Sequence, residues 1–383
     1  MERIEPSGHL SFDQPPPARR AVKRGRKWRK VAISVLLTLA FLLGVGWRTM
    51  FYMPGKSFGD EKLPPLAEVE SAAGKSGGLA LAEQLKRDVT RLAAEIGPRN
   101  LRRRANLVTA AEFVERELQA AAYPVLRQTY QVEGVDCWNV IAEIKGAKTP
   151  DEVVLVGAHY DSYGSTPGAD DNASGTAALL ALARRLATSR PEKTLRFVAF
   201  TNEEPPYFQK ATMGSRVYAR ACRKRSDNLI CVLALEAMGY YTDQKNSQRY
   251  PPPLNMIYPS TGNFIGVVGN VASRPLVHRV VALLRKHVDF PSEGGAVPDA
   301  LPGVGWSDHW SFWQEGYQAV MITDTALYRN PHYHKTTDTP EKLNYDHLAR
   351  VVVGVEGVLR EVAGAAPPAE GASAEVRQDG KGP

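Results

Sequence analysis

The pattern of apolar and polar positions divides the chain into one short apolar stretch and a long mixed region. The apolar stretch runs from Val31 to Trp47 and is interrupted only by one serine, one threonine and two glycines. Such a helix spans about 25 Å, and extending it past Arg48 to Met53 covers the ~30 Å hydrocarbon core of a bilayer. The pattern predicts a transmembrane helix over residues 31–53.

In the mixed region, the apolar positions follow the periods of helices and strands. Continuous apolar runs, typical of strands buried on both faces, read E-V-V-L-V-G-A, L-R-F-V-A-F, L-I-C-V-L-A-L and A-V-M-I-T. Two alternating strands are predicted before them, at Val125 to Val132 and Trp138 to Ile144. Helices are predicted at Leu79 to Ile96, Arg104 to Ala121, Ala173 to Ala187, Met213 to Ala221, Arg274 to Val288 and Tyr345 to Val362. The expected fold class is α/β, with a mixed, mostly parallel β-sheet between helical layers.

Composition sets the limits of the folded part. Residues 54–78 are rich in proline, glycine and lysine and are interpreted as a stalk, and residues 365–383 as a disordered tail. Between them, residues 79–364 contain no internal repeat and are expected to form a single domain.

The net charge of +7 is concentrated at one end of the chain. Residues 1–30 hold nine basic and three acidic residues, which leaves 39 basic and 38 acidic residues elsewhere. The folded part is therefore almost neutral, and its composition gives no reason to expect a nucleic-acid partner. Because only Arg48 and Lys56 closely follow the apolar run, the basic tail is expected in the cytoplasm and the domain in the periplasm or outside the cell.

The apolar run has two other interpretations. A cleaved signal peptide needs a small-residue cleavage site, but no alanine occurs between Ala40 and Ala67. A buried core helix is not usually preceded by a basic block. An uncleaved membrane anchor is the preferred interpretation.

Three cysteines are too few for a disulfide scaffold. Cys222 and Cys231 could close a short loop in an oxidising compartment, or Cys231 could be a small core residue; Cys137 stands apart in sequence. The sequence leaves this pairing open.

Acidic residues and histidines gather at the predicted strand ends. They are His159 and Asp161, Asp170 and Asp171, Glu203 and Glu204, Glu236, and then His332 and His334 in a later loop. The carboxyl ends of strands form the ligand crevice of an open α/β sheet, so these groups are expected to converge.

Most of these residues also have a structural explanation when taken singly. Asp171 could be a helix N-cap, the glutamate pair a solvated loop, and His159 a hydrogen-bonded core histidine. Glu236 ends an apolar strand, where an unpaired carboxylate is costly and requires a cation. Their occurrence in one ordered series favours a metal site.

The segments G-A-H-Y-D-S, G-A-D-D-N-A-S-G, T-N-E-E and H-K-T-T-D-T together resemble the co-catalytic di-zinc aminopeptidase family. That family also includes glutamate carboxypeptidases and glutaminyl cyclases. M-G-S-R-V-Y-A and S-D-H are similar to further family segments, so the resemblance extends roughly from Leu79 to Gly364.

The resemblance implies two zinc ions and a role for each residue. His159 and Glu236 would bind one zinc, Glu204 and His334 the other, and Asp171 both. His334 is preferred to His332 because the family has an aspartate four residues after the ligand, where Asp338 stands. Glu236 departs from the family, in which many members have aspartate, but a glutamate also reaches a zinc at ~2.0–2.2 Å.

Two further residues are expected to support the chemistry. Asp161 would accept the other ring N–H of His159, and Glu203 would take a proton from the attacking water and pass it to the leaving amine. Four aromatics, Trp306, Trp310, Phe312 and Trp313, flank Asp308 and His309, which are candidate substrate contacts. The aromatics could wall an apolar pocket or simply pack a helix.

These observations favour a membrane-anchored zinc exopeptidase acting on peptides, with an aminopeptidase preferred. A glutaminyl cyclase-like acyltransferase, typically with one zinc, is the first alternative, and a non-catalytic interaction protein is the second. The sequence contains no H-E-x-x-H, G-x-S-x-G or phosphate-binding loop that would support other hydrolase or nucleotide chemistry. The sequence does not determine the oligomeric state or the substrate side chains that the enzyme prefers.

Overall fold

A computed structural model describes residues 21–57, 63, 64, 66 and 77–366 of the protein. The first twenty residues of the predicted basic tail, most of the predicted stalk, and residues 367–383 of the predicted tail lie outside the described residues. The chain divides into two compact units, Met1–Thr49 and Met50–Pro383.

Helix α1 carries the apolar run of the first unit. It spans Ala21–Phe51, and its stretch Lys27–Phe51 is long and apolar enough to cross a membrane. None of its most apolar window is buried inside the protein, so the core-helix interpretation has no support. The helix ends two residues before the predicted span does, and Met53 is already buried in the second unit.

An eight-stranded mixed sheet forms the centre of the second unit, with the strand order β1-β2-β4-β3-β5-β8-β6-β7. The strands are β1 Val125–Val132, β2 Val135–Ile144, β3 Thr149–His159, β4 Lys193–Phe200, β5 Asn228–Glu236, β6 Ile265–Gly269, β7 Ser292–Ala296 and β8 Val320–Thr323. The neighbours β4-β3-β5-β8 are parallel, as are β6 and β7, whereas β1-β2, β2-β4 and β8-β6 are antiparallel. The predicted α/β class with a mixed, mostly parallel sheet is confirmed.

Helices cover the sheet on both faces. They are α2 Gly78–Thr90, extended by a wide turn Arg91–Ile96, α3 Arg104–Ala120, α4 Gly175–Leu186, α5 Gly214–Arg225, α6 Arg274–His287, α7 His309–Trp313 and α8 Tyr345–Ala363. Alternate residues of the central strands enter separate cores, because successive side chains of a strand point to opposite faces. In β3, Val154 and Val156 pack with α2, α3, α4, α6 and α8, whereas Val153 and Leu155 pack with α5 and α7.

Three elements of the fold were not predicted: β6, β7 and α7. The sequence of β7 is S-E-G-G-A, which contains no alternation and two glycines, and its pairing with β6 comes from the tertiary structure. The cysteine question is also resolved by the sheet. Cys222 and Cys231 lie in the two cores on opposite faces, and all three cysteines are buried free thiols.

Candidate metal centre

The parallel strands β4, β3, β5 and β8 deliver acidic residues to one edge of the sheet. His159 is the last residue of β3 and Glu236 the last of β5, while Glu203 and Glu204 follow β4 by three and four residues. All four side chains are less than a tenth exposed. The convergence expected from the strand ends is therefore present in the fold.

Two sets of three potential metal ligands share one aspartate. One set is His159, Asp171 and Glu236, and the other is Asp171, Glu204 and His334. Within each set, one nitrogen or oxygen atom of every residue lies within 4.8 Å of the others. These are the five residues that the resemblance implied as ligands.

The contacts inside the sets are close, but few of them are hydrogen bonds. Nε2 of His334 lies 3.1 Å from Asp171 and 3.2 Å from Glu204, yet it has no hydrogen-bond partner among the described residues. Oδ1 of Asp171 and Oε1 of Glu204 are likewise buried without a partner. Buried polar atoms normally have partners, so atoms that converge without bonding each other suit a cation held between them.

The pKa shifts at the site also favour a bound cation. Burial lowers the pKa of His334, but Asp171 and Glu204 outweigh it and raise that pKa to about 10. Burial raises the pKa of Glu204 to about 8, with Asp171 adding to the effect. The cluster thus favours positive charge at its centre, and its imidazole and carboxylate ligands are those that zinc takes in proteins.

The loop that carries Asp171 is held by distant groups rather than by helix capping. Asp338 accepts hydrogen bonds from the backbone N–H groups of Asp170 and Asp171 at 3.0 and 3.2 Å. Asn172, not Asp171, bonds the start of α4: its Oδ1 accepts from the N–H of Gly175 at 3.0 Å, while the N-cap position is Ser174. The N-cap interpretation of Asp171 is therefore wrong, and its carboxylate is directed to the two histidines.

Asp161 is placed differently from the expectation. Its oxygen is 3.5 Å from Nδ1 of His159, a nitrogen that has no hydrogen-bond partner in the described part of the chain. Its two oxygens instead accept from the backbone N–H groups of Glu203 and Glu204, both at 3.2 Å. Asp161 therefore orients the glutamate loop as well as facing the histidine.

Glu203 lies beside the ligand sets without belonging to either set in the described part of the chain. Its Oε2 is 3.9 Å from Nε2 of His159. Burial raises its pKa well above the usual range, against the opposing influence of His159. This location separates it from Glu204, its neighbour in sequence.

The two histidines of the last loop have different surroundings. The ring of His334 is stacked between Tyr163 and Tyr333, each with a centroid distance of 4.0 Å. The ring of His332 is directed to the hydroxyl of Thr337 at 2.9 Å. The preference for His334 over His332 agrees with this geometry. The sequence shows a tyrosine next to His334 but does not predict that two tyrosines stack on its ring.

The segment Ser307-Asp308-His309 is fully buried. Ser307, which sequence reasoning did not single out, donates to Oε2 of Glu236 at 2.7 Å. Neither oxygen of Asp308 receives a hydrogen bond from the described residues, and burial raises the pKa of Asp308 to about 7. Nε2 of His309 bonds the carbonyl of Val304 at 2.7 Å, which makes a structural role more suitable for His309 than substrate contact.

An apolar cleft adjoins Glu236 and Tyr333. Of the four aromatics near α7, only Trp306 is part of its lining. Phe312 and Trp313 pack in the core instead, and the Trp310 ring lies 6.0 Å from the guanidinium of Arg216.

Comparison with known proteins agrees with this geometry. Residues 139–357 match the model of peptidase family M28. The uncharacterized protein YfbL of Escherichia coli K12 is 39% identical over 289 residues, which cover 73% of this chain and 88% of YfbL.

Two solved structures share the fold. The zinc aminopeptidase BSAP of Bacillus subtilis has a TM-score of 0.61 and 15% identity, covering 73% of this chain and 95% of BSAP. A glutaminyl cyclase of Fimbriiglobus ruber has a TM-score of 0.56 and 20% identity, covering 73% of this chain and 94% of the cyclase. The fold and the sequence match define a zinc metallopeptidase. The chain belongs to peptidase family M28.

Proposed function

We propose that this protein is a membrane-anchored aminopeptidase that binds two zinc ions. The observation that carries the proposal is the position of Asp171 in both sets of ligands. His159 and Glu236 complete one zinc site, and Glu204 and His334 complete the other. A shared carboxylate offsets part of the repulsion between two adjacent cations.

Bound zinc would polarise the scissile carbonyl and lower the pKa of water toward neutrality. Glu203 is the general base in this proposal, because its carboxylate lies next to His159 while remaining outside both ligand sets. It takes the proton of the attacking water and returns it to the leaving amine. Asp161 keeps Glu203 and Glu204 in position through their backbone N–H groups.

Asp308 supports recognition of a substrate amino group. Its carboxylate is buried within electrostatic reach of His159 and Glu236 and has no hydrogen-bond donor among the described residues. An α-ammonium group next to Asp308 would lower its raised pKa and favour the charged carboxylate as its partner, whereas a C-terminal carboxylate would raise that pKa further. This favours an aminopeptidase over a carboxypeptidase.

The membrane part of the proposal is based on α1. The stretch Lys27–Phe51 has the length and hydropathy of a membrane span, and the basic residues before it favour a cytoplasmic N-terminus. The catalytic unit is then periplasmic or extracellular.

A peptide-library digest with the purified full chain tests the activity. We expect stepwise loss of N-terminal residues, read by mass spectrometry, from free peptides and none from N-acetylated copies. Shortening from the C-terminus would contradict the aminopeptidase assignment. Loss of ammonia from N-terminal glutamine without shortening, together with one metal per chain, would instead favour the cyclase.

A further inference from the structure

The folded unit begins at the very end of the membrane helix. Phe51 is the last residue of α1 and belongs to the same compact unit as the sheet. Met53 is only 8% exposed and is part of the large core. The Arg285 guanidinium donates to the carbonyls of Pro54 and Gly55 at 3.1 and 3.0 Å. The first residues after the span are thus fixed to the domain rather than free to act as a spacer.

One loop of the domain lies against this junction. The Pro-rich loop, residues 250–258, reads Y-P-P-P-L-N-M-I-Y. The ring of Tyr258 meets that of Phe51 edge-on at 6.0 Å and stacks with that of Tyr250 at 5.6 Å. The hydroxyl of Tyr258 donates to the carbonyl of Gly294, next to which Met53 packs.

The chemistry of the Pro-rich loop suits a lipid interface. No charged residue occurs from Tyr250 to Ser273. Met256 in this loop is 82% exposed, more than any other large apolar side chain of the described residues. A single exposed apolar side chain is ordinary on a soluble surface. The exposed side chain of Met256 differs from such ordinary cases because its loop lies beside the end of the proposed membrane span.

We infer that the Pro-rich loop lies in the interface of the bilayer leaflet at which α1 ends; this rests on the proposed membrane anchor. Because Phe51 closes the apolar span, it lies at or near the membrane surface, and the ring contact holds Tyr258 there too. Interfacial segments bury apolar side chains ~5–10 Å into the headgroup and acyl boundary, where tyrosine is favoured. Lys56, which follows the junction, and Arg249, which precedes the loop, are both exposed and suit lipid phosphates.

The same loop forms a wall of the active-site cleft. Tyr250, Pro251, Leu254 and Tyr258 line the apolar cleft that reaches Glu236. In the proposed arrangement this wall of the cleft lies at the membrane surface, where apolar peptide ends partition. The substrates that fit this arrangement are peptides held at the membrane surface.

Site-specific fluorescence in lipid nanodiscs tests the inference. The full chain carrying Met256→Cys is labelled with an environment-sensitive dye; the native cysteines are buried, and unsubstituted protein measures their background labelling. The matched control is Leu126→Cys, which is 65% exposed on β1, the edge strand farthest in the sheet from β7. The discs contain phosphatidylethanolamine and phosphatidylglycerol, with or without a lipid bearing a doxyl quencher near the headgroup.

The expected result is a blue-shifted emission and quenching for the label at position 256 and neither for the label at position 126. Equal behaviour of both labels in protein that co-elutes with the discs overturns the loop inference and leaves the anchor standing. Protein that does not co-elute with the discs overturns the anchor, and the loop inference with it. Far-UV circular dichroism and a thermal unfolding midpoint equal to those of the unsubstituted protein confirm that both labelled proteins are folded.

Discussion

The carboxylate of Asp171 lies between His159 and His334. One of its oxygens is 3.4 Å from Nε2 of His159, and the other is 3.1 Å from Nε2 of His334. The two histidines come from the end of β3 and from a loop after β8, so this aspartate joins two distant parts of the chain at one point. The relationship makes the two proposed zinc sites interdependent.

Substitution of Asp171→Asn is expected to remove both zinc ions. The amide has no negative charge and only one oxygen, so neither ligand set keeps its shared carboxylate. Elemental analysis of the purified full chain measures the metal, with the exposed Asp299→Asn as a control that retains it. Full zinc occupancy in Asp171→Asn would refute the bridging assignment.

The adjacent glutamates are expected to separate chemistry from metal binding. Glu204→Gln should lower the zinc content, since it removes a charged ligand from one set. Glu203→Gln should keep both metals and reduce kcat by about 10²–10⁴-fold, or ~3–5 kcal/mol of barrier, because the amide cannot accept the proton of water.

Each glutamate variant serves as the control for the other, with kcat and zinc content measured on the same preparations. Zinc loss in Glu203→Gln alone would reverse the two roles. Unchanged turnover in both variants would reject the peptidase mechanism.

Asp338→Asn tests whether the support of Asp171 matters for metal affinity. Each oxygen of Asp338 accepts one backbone N–H, and the asparagine side chain has an acceptor for only one of them. Substitutions behind metal ligands typically weaken metal affinity about 10–100-fold. Competition with a chelator should show this loss, and added zinc should restore activity. An affinity equal to that of Asp299→Asn would mean that the loop holds its shape without Asp338.

Arg99→Met is expected to destabilise the fold around the site. The buried guanidinium of Arg99 donates to the carbonyls of Tyr160, Pro167 and Gly168 at 2.6, 2.5 and 2.8 Å. The Gly168 carbonyl also accepts from the N–H of Ala173 at 3.1 Å, so the substitution leaves two carbonyls, those of Tyr160 and Pro167, without a partner among the described residues. A buried group left without its partner costs ~1–3 kcal/mol, so the free energy of unfolding should fall by at least about 2 kcal/mol. Denaturant unfolding measures the change, with the exposed Arg103→Met as control. A difference below about 1 kcal/mol, the size of an ordinary surface substitution, would contradict it.

The proposed topology predicts that residues 54–383 are accessible from outside the cytoplasm. Protease added to intact spheroplasts, or to intact cells without an outer membrane, should remove the catalytic unit and leave the membrane helix behind. A cytoplasmic marker protein must stay intact in the same sample. Digestion that requires lysis would place the domain on the other side of the membrane.

Much of the fold could be predicted because apolar runs in the sequence indicate which segments are buried. The apolar runs of β3, β4, β5 and β8 appear at the predicted places, and β1 has the predicted bounds. By contrast, β6 and β7 are short and rich in glycine, so their pairing depends on strands that are distant in sequence. Composition alone predicts a stalk directly after the span. In the structure the helix ends at Phe51, and Met53 already packs in the core of the domain.

For the site, the sequence by itself determined the ligand types and their places at strand ends, because an acidic residue after an apolar run is visible without a structure. Only the tertiary structure decided which atoms meet. Asp338 supports the backbone of Asp171 from 167 residues away, Ser307 donates to Glu236, and two tyrosines hold the ring of His334. Contacts of this kind depend on how the chain returns to one edge of the sheet, and that return is set by packing of the whole domain rather than by any local pattern.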